Sequence, residues 1–306
     1  MSDAAIGIDV GGTKTALGIV TADGALASPR RVANRDVQDA EALLAAIAAE
    51  ARALAELIEP ETRLAGIGVG ICELVDRDGE IRSASSIPWK RGEVVDALGS
   101  LAPVTLEADV RAAALAEARV GAGRPFSSFV YVTVGTGISH CLVDGGAPYL
   151  GAHGIAQLIG SSRVAIPCSG CDSFATAALE DVAGGPALVR RYNDRARGAA
   201  TAAAEEVLWK AEAGDPVAAA AVEEAATVLG SFVALLVNVL DPAGVVVGGG
   251  LGSAPGAYWE AMVASARASV WSEVAQSVPI VRAELGADAG VVGAGLAALQ
   301  PAAAHV

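Results

Sequence analysis

The sequence predicts an α/β protein built from two domains, and three observations support this. A chain of 306 residues is too long for one simple hydrophobic core. With 53% hydrophobic and 18% charged residues it has the composition of a folded protein. Each half opens with a strand, a glycine turn and a second strand, and each later returns to a strand typical of burial on both faces.

The first half alternates strand and helix patterns. Residues 6–10 and 15–21 are β-like runs around a Gly-Gly-Thr-Lys turn, which predicts a hairpin. Apolar residues at helical spacing predict a helix at about 39–59, which Pro60 ends. The other predicted elements are strands at 64–71 and 104–107 and an Ala-rich helix at about 109–120.

The second half repeats this pattern after a break at residues 121–125, where we expect the boundary between a domain of residues 1–121 and one of residues 122–288. Strands are predicted at 129–134 and 138–143, again around a glycine turn. The remaining predictions are helices at about 174–192, 199–213, 216–240 and 289–299, and a buried strand at 244–247.

Charge and targeting patterns exclude several classes of protein. Twenty-one Lys and Arg against 35 Asp and Glu give a net charge of −14, which argues against binding of nucleic acid or anionic lipid over a broad face. Asp3 and Asp9 stand where a secretory signal would be basic and then apolar. Polar residues or glycines interrupt the longest apolar stretches, so we expect no membrane-spanning helix and a cytoplasmic protein.

The first glycine turn is a candidate phosphate site. Gly11 and Gly12 let backbone N–H groups approach a phosphate, and Thr13 and Lys14 add a hydroxyl and a positive charge. Asp9, just before the turn, is suited to position a hydrated Mg²⁺. Taken alone, these residues fit an ordinary Gly-Gly hairpin equally well.

Two further glycine segments favour the phosphate interpretation. Gly135-Thr136-Gly137 forms the corresponding turn of the second half, and two such turns can clamp one polyphosphate from both sides of a cleft. Gly248-Gly249-Gly250 follows a buried strand and offers a surface on which an adenine ring can lie without obstruction by side chains. These segments predict an ATP-binding protein.

Together these motifs resemble the ROK family of bacterial sugar kinases and related repressors. Four segments carry the resemblance in the family's order: 7–15, 132–138, 241–250 and 289–294. The resemblance implies a two-domain actin-like (ribonuclease H-like) ATPase fold with Mg·ATP in the cleft between the domains. It also implies a homodimer, and a last helix, about 289–300, that packs back on the N-terminal domain.

The same resemblance identifies a catalytic base. Family members carry an Asn-Asp-Ala-Asn segment whose Asp removes the proton from the sugar hydroxyl, and here the segment reads Ala108-Asp109-Val110-Arg111. Asp109 is therefore implied as the general base. An N-cap role for Asp109 in the following helix is compatible with that role. Ala108 replaces an Asn that binds a sugar hydroxyl in the family.

The family's zinc and sugar-binding segments are altered. Leu158 and Ser161 stand where the family has a sugar-binding Glu and a His that binds both sugar and zinc. Of the zinc cysteines only Cys171 remains, with Ser173 and Ala178 at other cysteine positions, so we expect no structural zinc and no other bound metal at these positions. Cys168 and Cys171 form an isolated pair without further Cys or His nearby. We therefore expect them to be small buried residues and not a metal or redox site.

Other positions implied to face the substrate are retained or changed. Glu180 matches a family Glu that accepts hydrogen bonds from ring hydroxyls, and Ser85 maps to a loop that faces the substrate. Glu73 replaces a glycine, where its carboxylate is suited to receive a substrate amine or a rearranged hydroxyl. For His140 and His153 a structural role is favoured over contact with the substrate.

These features predict an ATP-dependent kinase that phosphorylates a primary hydroxyl of a non-standard hexose-like substrate, such as the amino sugar kanosamine or a C7-cyclitol. A glucokinase or other hexose kinase of the family is the alternative, and a catalytically degenerate sugar-binding protein a further one. A sugar-responsive repressor is disfavoured, because the phosphate motif begins at Ile6 and leaves no space for a preceding helix-turn-helix.

Overall fold

The computed structural model describes residues 2–34, 39–167, 174–198 and 200–300. The strands are β1 (Ser2–Val10), β2 (Lys14–Thr21), β3 (Leu26–Ala33), β4 (Thr62–Ile71), β5 (Val104–Ala108), β6 (Ser128–Val134), β7 (Ile138–Asp144), β8 (Ala147–Pro148), β9 (Arg163–Pro167), β10 (Phe174–Ala178), β11 (Val245–Gly248) and β12 (Ile280–Arg282). The helices are α1 (Ala40–Ala55), α2 (Arg91–Leu98), α3 (Asp109–Val120), α4 (Glu180–Ala183), α5 (Gly185–Arg195), α6 (Ala204–Glu212), α7 (Pro216–Leu240), α8 (Ala257–Ser269), α9 (Glu273–Gln276) and α10 (Ala289–Leu299).

The chain divides into two compact units. Unit 1 comprises Met1–Pro125, Val143–Ala156 and Ala287–Val306, and unit 2 comprises Phe126–Leu142 and Gln157–Gly286. Both units are mixed α/β, and each carries one of the two five-stranded sheets, although the short β8 at the end of the second sheet falls within unit 1. The prediction of an α/β protein is confirmed.

Unit 1 is built around a sheet with the strand order β3-β2-β1-β4-β5. β1 and β2 form the predicted antiparallel hairpin, whereas β1–β4 and β4–β5 are parallel pairs. α10 packs on β1, β4 and α3 at very short range. Glycines permit this approach, because a Cβ at Gly68 would lie 1.7 Å from the carbonyl oxygen of Ala294.

Unit 2 has a second sheet, in the order β12-β11-β6-β7-β8, in which β11 runs parallel to β6 and β12. Its core forms around α7, whose alanine and valine side chains are buried along most of the helix. Asp215 caps α7 by accepting hydrogen bonds from the N–H groups of Val217 (2.8 Å) and Ala218 (3.2 Å).

α7 is also long and apolar enough to cross a membrane, although no membrane-spanning helix is predicted from the sequence. Of its most apolar window, 56% is buried inside the protein. Burial of this extent is typical of a core helix, so the length and composition of α7 are weak evidence for a membrane span.

Two helix predictions in unit 2 are corrected. Residues 174–178 of the predicted helix 174–192 form β10, which pairs antiparallel with β9, and Gly184 in an extended conformation separates α4 from α5. Residues 200–203 of the predicted helix 199–213 are not helical, and the helix begins at Ala204. Asn193 exchanges hydrogen bonds with the backbone N–H and carbonyl of Thr201, each at 2.9 Å, and holds that segment outside a helix.

The units also differ from the predicted domain limits, because residues 143–156 belong with unit 1. The buried guanidinium of Arg111 in α3 accounts for this attachment. It donates to the carbonyl oxygens of Gly154 and Val75, the latter at 2.7 Å, and pairs with Glu107. The last helix, α10, lies in unit 1.

Candidate functional site

The turn between β1 and β2 is held by hydrogen bonds at its base. The N–H of Gly11 donates to the carbonyl of Lys14 at 3.1 Å. Asn34, just beyond β3, donates to the carbonyl of Gly11 at 2.7 Å and accepts a hydrogen bond from the Thr15 hydroxyl at 2.9 Å. Gly12, Thr13 and Lys14 remain exposed. Asn34 was missed by sequence reasoning, since no motif surrounds it.

Asp9 ends β1 just before this turn. Its carboxylate lies against the first turn of α10, where a Cβ at Gly290 would come within 2.4 Å of its Oδ2. Burial raises the pKa of Asp9 to about 6, although the charge of Lys14 opposes the shift. Without a Cβ at residue 290 the carboxylate has the space it needs.

Asp109 lies at the junction of β5 and α3 and has a strongly shifted pKa. Burial, and to a lesser extent the negative charges of Asp9 and Glu73, raises the pKa of Asp109 to about 7, against a hydrogen bond from the N–H of Val110 (2.6 Å) and the charge of Arg111. A carboxylate with this pKa is matched to proton transfer near neutral pH.

Asp109 is not the N-cap of α3, which was the alternative role compatible with the sequence. Ala108 is the N-cap residue, with an extended backbone (φ −67°, ψ 139°), and Asp109 is the first residue of α3. Its negative charge at the amino end of the helix is still favourable, because the helix dipole is positive there.

Glu73 follows β4 and is 3% exposed. Its Oε2 accepts hydrogen bonds from the Ser83 hydroxyl and the Ser85 N–H (2.9 Å), and its Oε1 accepts from the N–H groups of Ser86 (2.5 Å) and Ile87 (2.8 Å). Burial alone would raise the pKa of Glu73, but these four donors lower it below its ordinary value. The expected contact between Glu73 and a substrate amine is therefore replaced by contacts within the protein.

The segment that Glu73 holds lies beside Gly12 and Cys72. The Ser86 hydroxyl would be 3.8 Å from a Cβ at Gly12, so the loop borders the first glycine turn. Burial, with the charges of Asp109 and Glu73, raises the pKa of Cys72 to about 12, while a hydrogen bond with Ser86 lowers it. Ser85, predicted to face the substrate, has an exposed side chain. Unit 1 thus brings together Asp9, Gly12, Glu73, Asp109 and the Ser85 loop.

The turn between β6 and β7 in unit 2 is held differently, mainly by backbone groups. The N–H of Gly135 donates to the carbonyl of Gly137 at 3.0 Å, and the N–H of Gly185 at the start of α5 donates to the carbonyl of Gly135 at 2.8 Å. The Oε2 of Glu180 accepts a long hydrogen bond (3.4 Å) from the N–H of Ile138 and would lie 3.0 Å from a Cβ at Gly137. Thr136 is exposed at the tip.

The triple glycine after β11 adopts a conformation that needs a glycine. Gly249 has φ +81°, and a Cβ there would lie 2.3 Å from the carbonyl of Val134. Gly250 is exposed, with open space around the position of its missing Cβ. The open positions at Gly12, Gly135 and Gly250 leave backbone accessible, which fits phosphate groups and a flat ring.

The altered sugar and zinc positions in unit 2 lie on the described part of the chain except for Cys168, Cys171 and Ser173. Leu158 is 41% exposed, and Ser161 is exposed. Within residues 2–34, 39–167, 174–198 and 200–300, no three His, Cys, Asp or Glu side chains are grouped to hold a metal ion. The absence of zinc remains a prediction, because the cysteine pair lies outside the described residues.

The two histidines occupy different environments. His140 on β7 has a buried Nδ1 that finds no hydrogen-bond partner in the described part of the chain, and burial lowers the pKa of His140 although a backbone hydrogen bond with Gln157 raises it. Gln157 is buried, and its Oε1 is likewise unpartnered among the described residues. His153 in unit 1 is exposed.

Comparison with known proteins gives a consistent result. A model of the ROK family matches residues 5–301. A glucokinase of Halalkalibacterium halodurans is 30% identical over 95% of this chain and 93% of its own, and an N-acetylgalactosamine kinase of Shewanella sp. (strain ANA-3) is 31% identical over 80% and 81%. The crystal structure of a ROK family glucokinase from Streptomyces griseus in complex with glucose and AMPPNP superimposes with a TM-score of 0.82, at 29% identity over 97% of this chain and 100% of that one.

Proposed function

The chain belongs to the ROK family and is an ATP-dependent sugar kinase, and from this premise we propose that its acceptor is an amino sugar such as kanosamine, or a C7-cyclitol, phosphorylated on a primary hydroxyl. The observation that carries the proposal is the loss of polar groups at positions that bind hexoses in the family. Ala108 is completely buried and apolar, and Leu158 and Ser161 replace a Glu and a His. Each unpaired substrate hydroxyl costs about 1–3 kcal/mol on burial.

We assign the general-base role to Asp109. In its ionised form it accepts the proton of the acceptor hydroxyl and orients the oxygen for attack. The pKa of about 7 supports this role, because the carboxylate is then basic enough to take a proton and still largely ionised slightly above neutral pH.

We assign nucleotide binding to the two glycine turns and to Gly249 and Gly250. When bound, Mg·ATP supplies the phosphoryl group. The exposed N–H groups and side chains of the first turn suit phosphate oxygens, Asp9 suits a hydrated Mg²⁺, and the open backbone at Gly250 suits a flat ring.

The alternative acceptor is a neutral hexose. It is favoured by the likeness to relatives named glucokinases. The retained Glu180, which matches a sugar-binding Glu of the family, agrees with either acceptor.

A coupled ADP-release assay tests the proposal, with glucose, N-acetylated and free amino sugars including kanosamine, and C7-cyclitols of the valiolone type as acceptors. We expect kcat/KM to be highest for kanosamine or a cyclitol, with Asp109→Asn as the inactive control. A higher kcat/KM for glucose than for every other acceptor would identify a hexose kinase. No turnover with any acceptor would favour a degenerate sugar-binding protein.

We further propose a cytoplasmic homodimer without structural zinc. Exposed apolar side chains in unit 2 support an assembly: Leu235 and Val239 lie one turn apart on α7, and Asn238 between them accepts a hydrogen bond from the N–H of Trp271, which is 90% exposed. Light scattering at micromolar concentration and metal analysis by mass spectrometry test these points. A monomer, or one zinc per chain, would contradict them.

A further inference from the structure

The carboxylate of Glu73 is an internal anchor in unit 1. It receives four hydrogen bonds from one short segment, residues 83–87: one from the Ser83 hydroxyl and three from backbone N–H groups. The Ser83 hydroxyl in turn accepts a hydrogen bond from the N–H of Leu74 at 2.8 Å. The segment is therefore tied at both ends to the residues that follow β4.

These contacts use the whole acceptor capacity of the carboxylate. Each carboxylate oxygen has two lone-pair positions, and each oxygen of Glu73 already accepts two hydrogen bonds. The side chain is almost inaccessible to solvent. A substrate amine or hydroxyl would have to displace the protein's own donors and leave buried N–H groups unpaired, at considerable cost.

The side chains of Ser85 and Ser86 in the anchored segment, residues 83–87, are exposed to solvent. Because the N–H groups of Ser85, Ser86 and Ile87 face the carboxylate, they are unavailable to a ligand, whereas the Ser85 and Ser86 side chains are exposed. Ser86 lies beside Gly12 of the glycine turn. Ile87 is buried in the unit 1 core, which fixes the far end of the segment.

We propose that Glu73 is a positioning residue, which fixes residues 83–87 so that the hydroxyls of Ser85 and Ser86, and not the Glu73 carboxylate, meet the acceptor sugar. The proposal rests on the proposed function, since it assumes a sugar acceptor at unit 1. It replaces direct recognition of an amine by a preorganised pair of hydroxyl groups.

The test compares Glu73→Gln with the wild-type protein on glucose and kanosamine, which differ by one amine in place of a hydroxyl. Glutamine keeps the size of the side chain, but its amide nitrogen cannot accept the two N–H or O–H groups now bound to one carboxylate oxygen. We expect the acceptor KM to rise at least tenfold, with the same factor for both acceptors within twofold. The KM for ATP should change by less than twofold. A loss at least tenfold greater for kanosamine would show direct contact with the amine and overturn the proposal.

Matched variants separate positioning from general damage. Ser83→Ala removes one donor to Glu73 and the acceptor of the Leu74 N–H, but keeps the charge and the three backbone bonds, so we expect a rise of about threefold in the acceptor KM. Ser85→Ala and Ser86→Ala remove the outward hydroxyls, and at least one of them should raise the acceptor KM tenfold with little change in the KM for ATP. If neither does, the proposal is wrong.

A readout without turnover distinguishes failure of the proposed function from failure of this inference. Amide hydrogen exchange at residues 85–87 should be strongly protected in the wild-type protein and at least tenfold faster in Glu73→Gln, with unchanged protection in β1. A wild-type protein inactive on every acceptor would refute the function while this protection remained measurable. Equal exchange in both proteins would refute the anchor.

Discussion

Unit 1 and unit 2 each contain a strand–glycine turn–strand motif, but different groups lie around the turn in each. In unit 1 the turn between β1 and β2 adjoins carboxylates, two of which, Asp9 and Asp109, have raised pKa values. In unit 2 the turn between β6 and β7 is fixed by backbone hydrogen bonds to Gly137 and Gly185. The difference agrees with the proposed roles, in which a carboxylate of unit 1 transfers a proton and the turn of unit 2 offers its backbone to the nucleotide. A variant of Asp109 in unit 1 should therefore change kcat, whereas variants in the glycine turn of either unit should change the KM for ATP.

The largest expected effect is that of Asp109→Asn on kcat. The change removes the proton acceptor while keeping the shape of the side chain and the hydrogen bond from Val110. A general base contributes roughly 10²–10⁴-fold, so kcat should fall by that factor with the KM for ATP nearly unchanged. Steady-state kinetics with the best acceptor measures both.

A measurement of stability serves as the control for Asp109→Asn. Because a carboxyl pKa raised from 3.8 to about 7 means that ionisation opposes folding, the uncharged variant should be more stable than the wild-type protein at pH 8. The shift of about three pKa units corresponds to an upper bound of roughly 4 kcal/mol. A fall in kcat below tenfold would mean that Asp109 has only a structural role. A less stable variant would contradict the claim that ionisation of Asp109 opposes folding.

Valine substitutions in the two turns compare the units directly. Gly12→Val should raise the KM for Mg·ATP at least tenfold without loss of stability, because the nearest side-chain atom to the new Cβ lies 3.8 Å away. Gly137→Val should raise the KM similarly and also lower the melting temperature, since its Cβ would lie 3.0 Å from the Glu180 carboxylate. Gly92→Val, at an open position on α2, is the matched control. If ATP affinity is unchanged in both variants, the two glycine turns are ordinary hairpin turns without a role in nucleotide binding.

The sequence predicted the elements that have strong local signals and missed those that depend on distant partners. The hairpin of β1 and β2, the Asp109–Val120 helix and α10 follow from apolar periodicity and glycine placement, and the structure confirms them. β10 was predicted as a helix because its Phe-Ala-Thr-Ala-Ala sequence has no strand alternation, and only pairing with β9 makes it a strand.

The site shows the same division. Asp9, Asp109 and the glycine turns could be proposed from the sequence because their residue types and order match a family pattern. The hydrogen bonds that Glu73 and Asn34 accept or donate could not be predicted, because their partners lie 10–23 residues away and no local pattern records that approach. Burial sets the pKa of Asp109, and burial is a property of the fold.

The pH dependence of catalysis should follow the unit 1 carboxylates. Asp109 must be ionised to accept a proton, so kcat/KM should rise with pH through about 7 and fall about tenfold per pH unit below it. Asp9, with a pKa of about 6, should steepen the fall at lower pH. A rate profile from pH 5 to 9 tests this. A profile flat down to pH 5 would show that no carboxylate with a raised pKa takes part.

The smallest expected effect is that of Asn34→Ala, which removes the brace of the first turn. The variant loses the hydrogen bond to the Gly11 carbonyl and leaves the buried Thr15 hydroxyl without its acceptor, at a cost of about 1–3 kcal/mol in the free energy of unfolding. Because the turn loses support but no ligand group, the KM for ATP should rise only a few-fold, with kcat almost unchanged. Adding Thr15→Val removes the orphaned hydroxyl, so the double variant should be less destabilised than the sum of the single variants, as chemical denaturation will show. Strict additivity would mean that Asn34 and Thr15 act independently, so that the hydrogen bond between them does not stabilise the turn of unit 1.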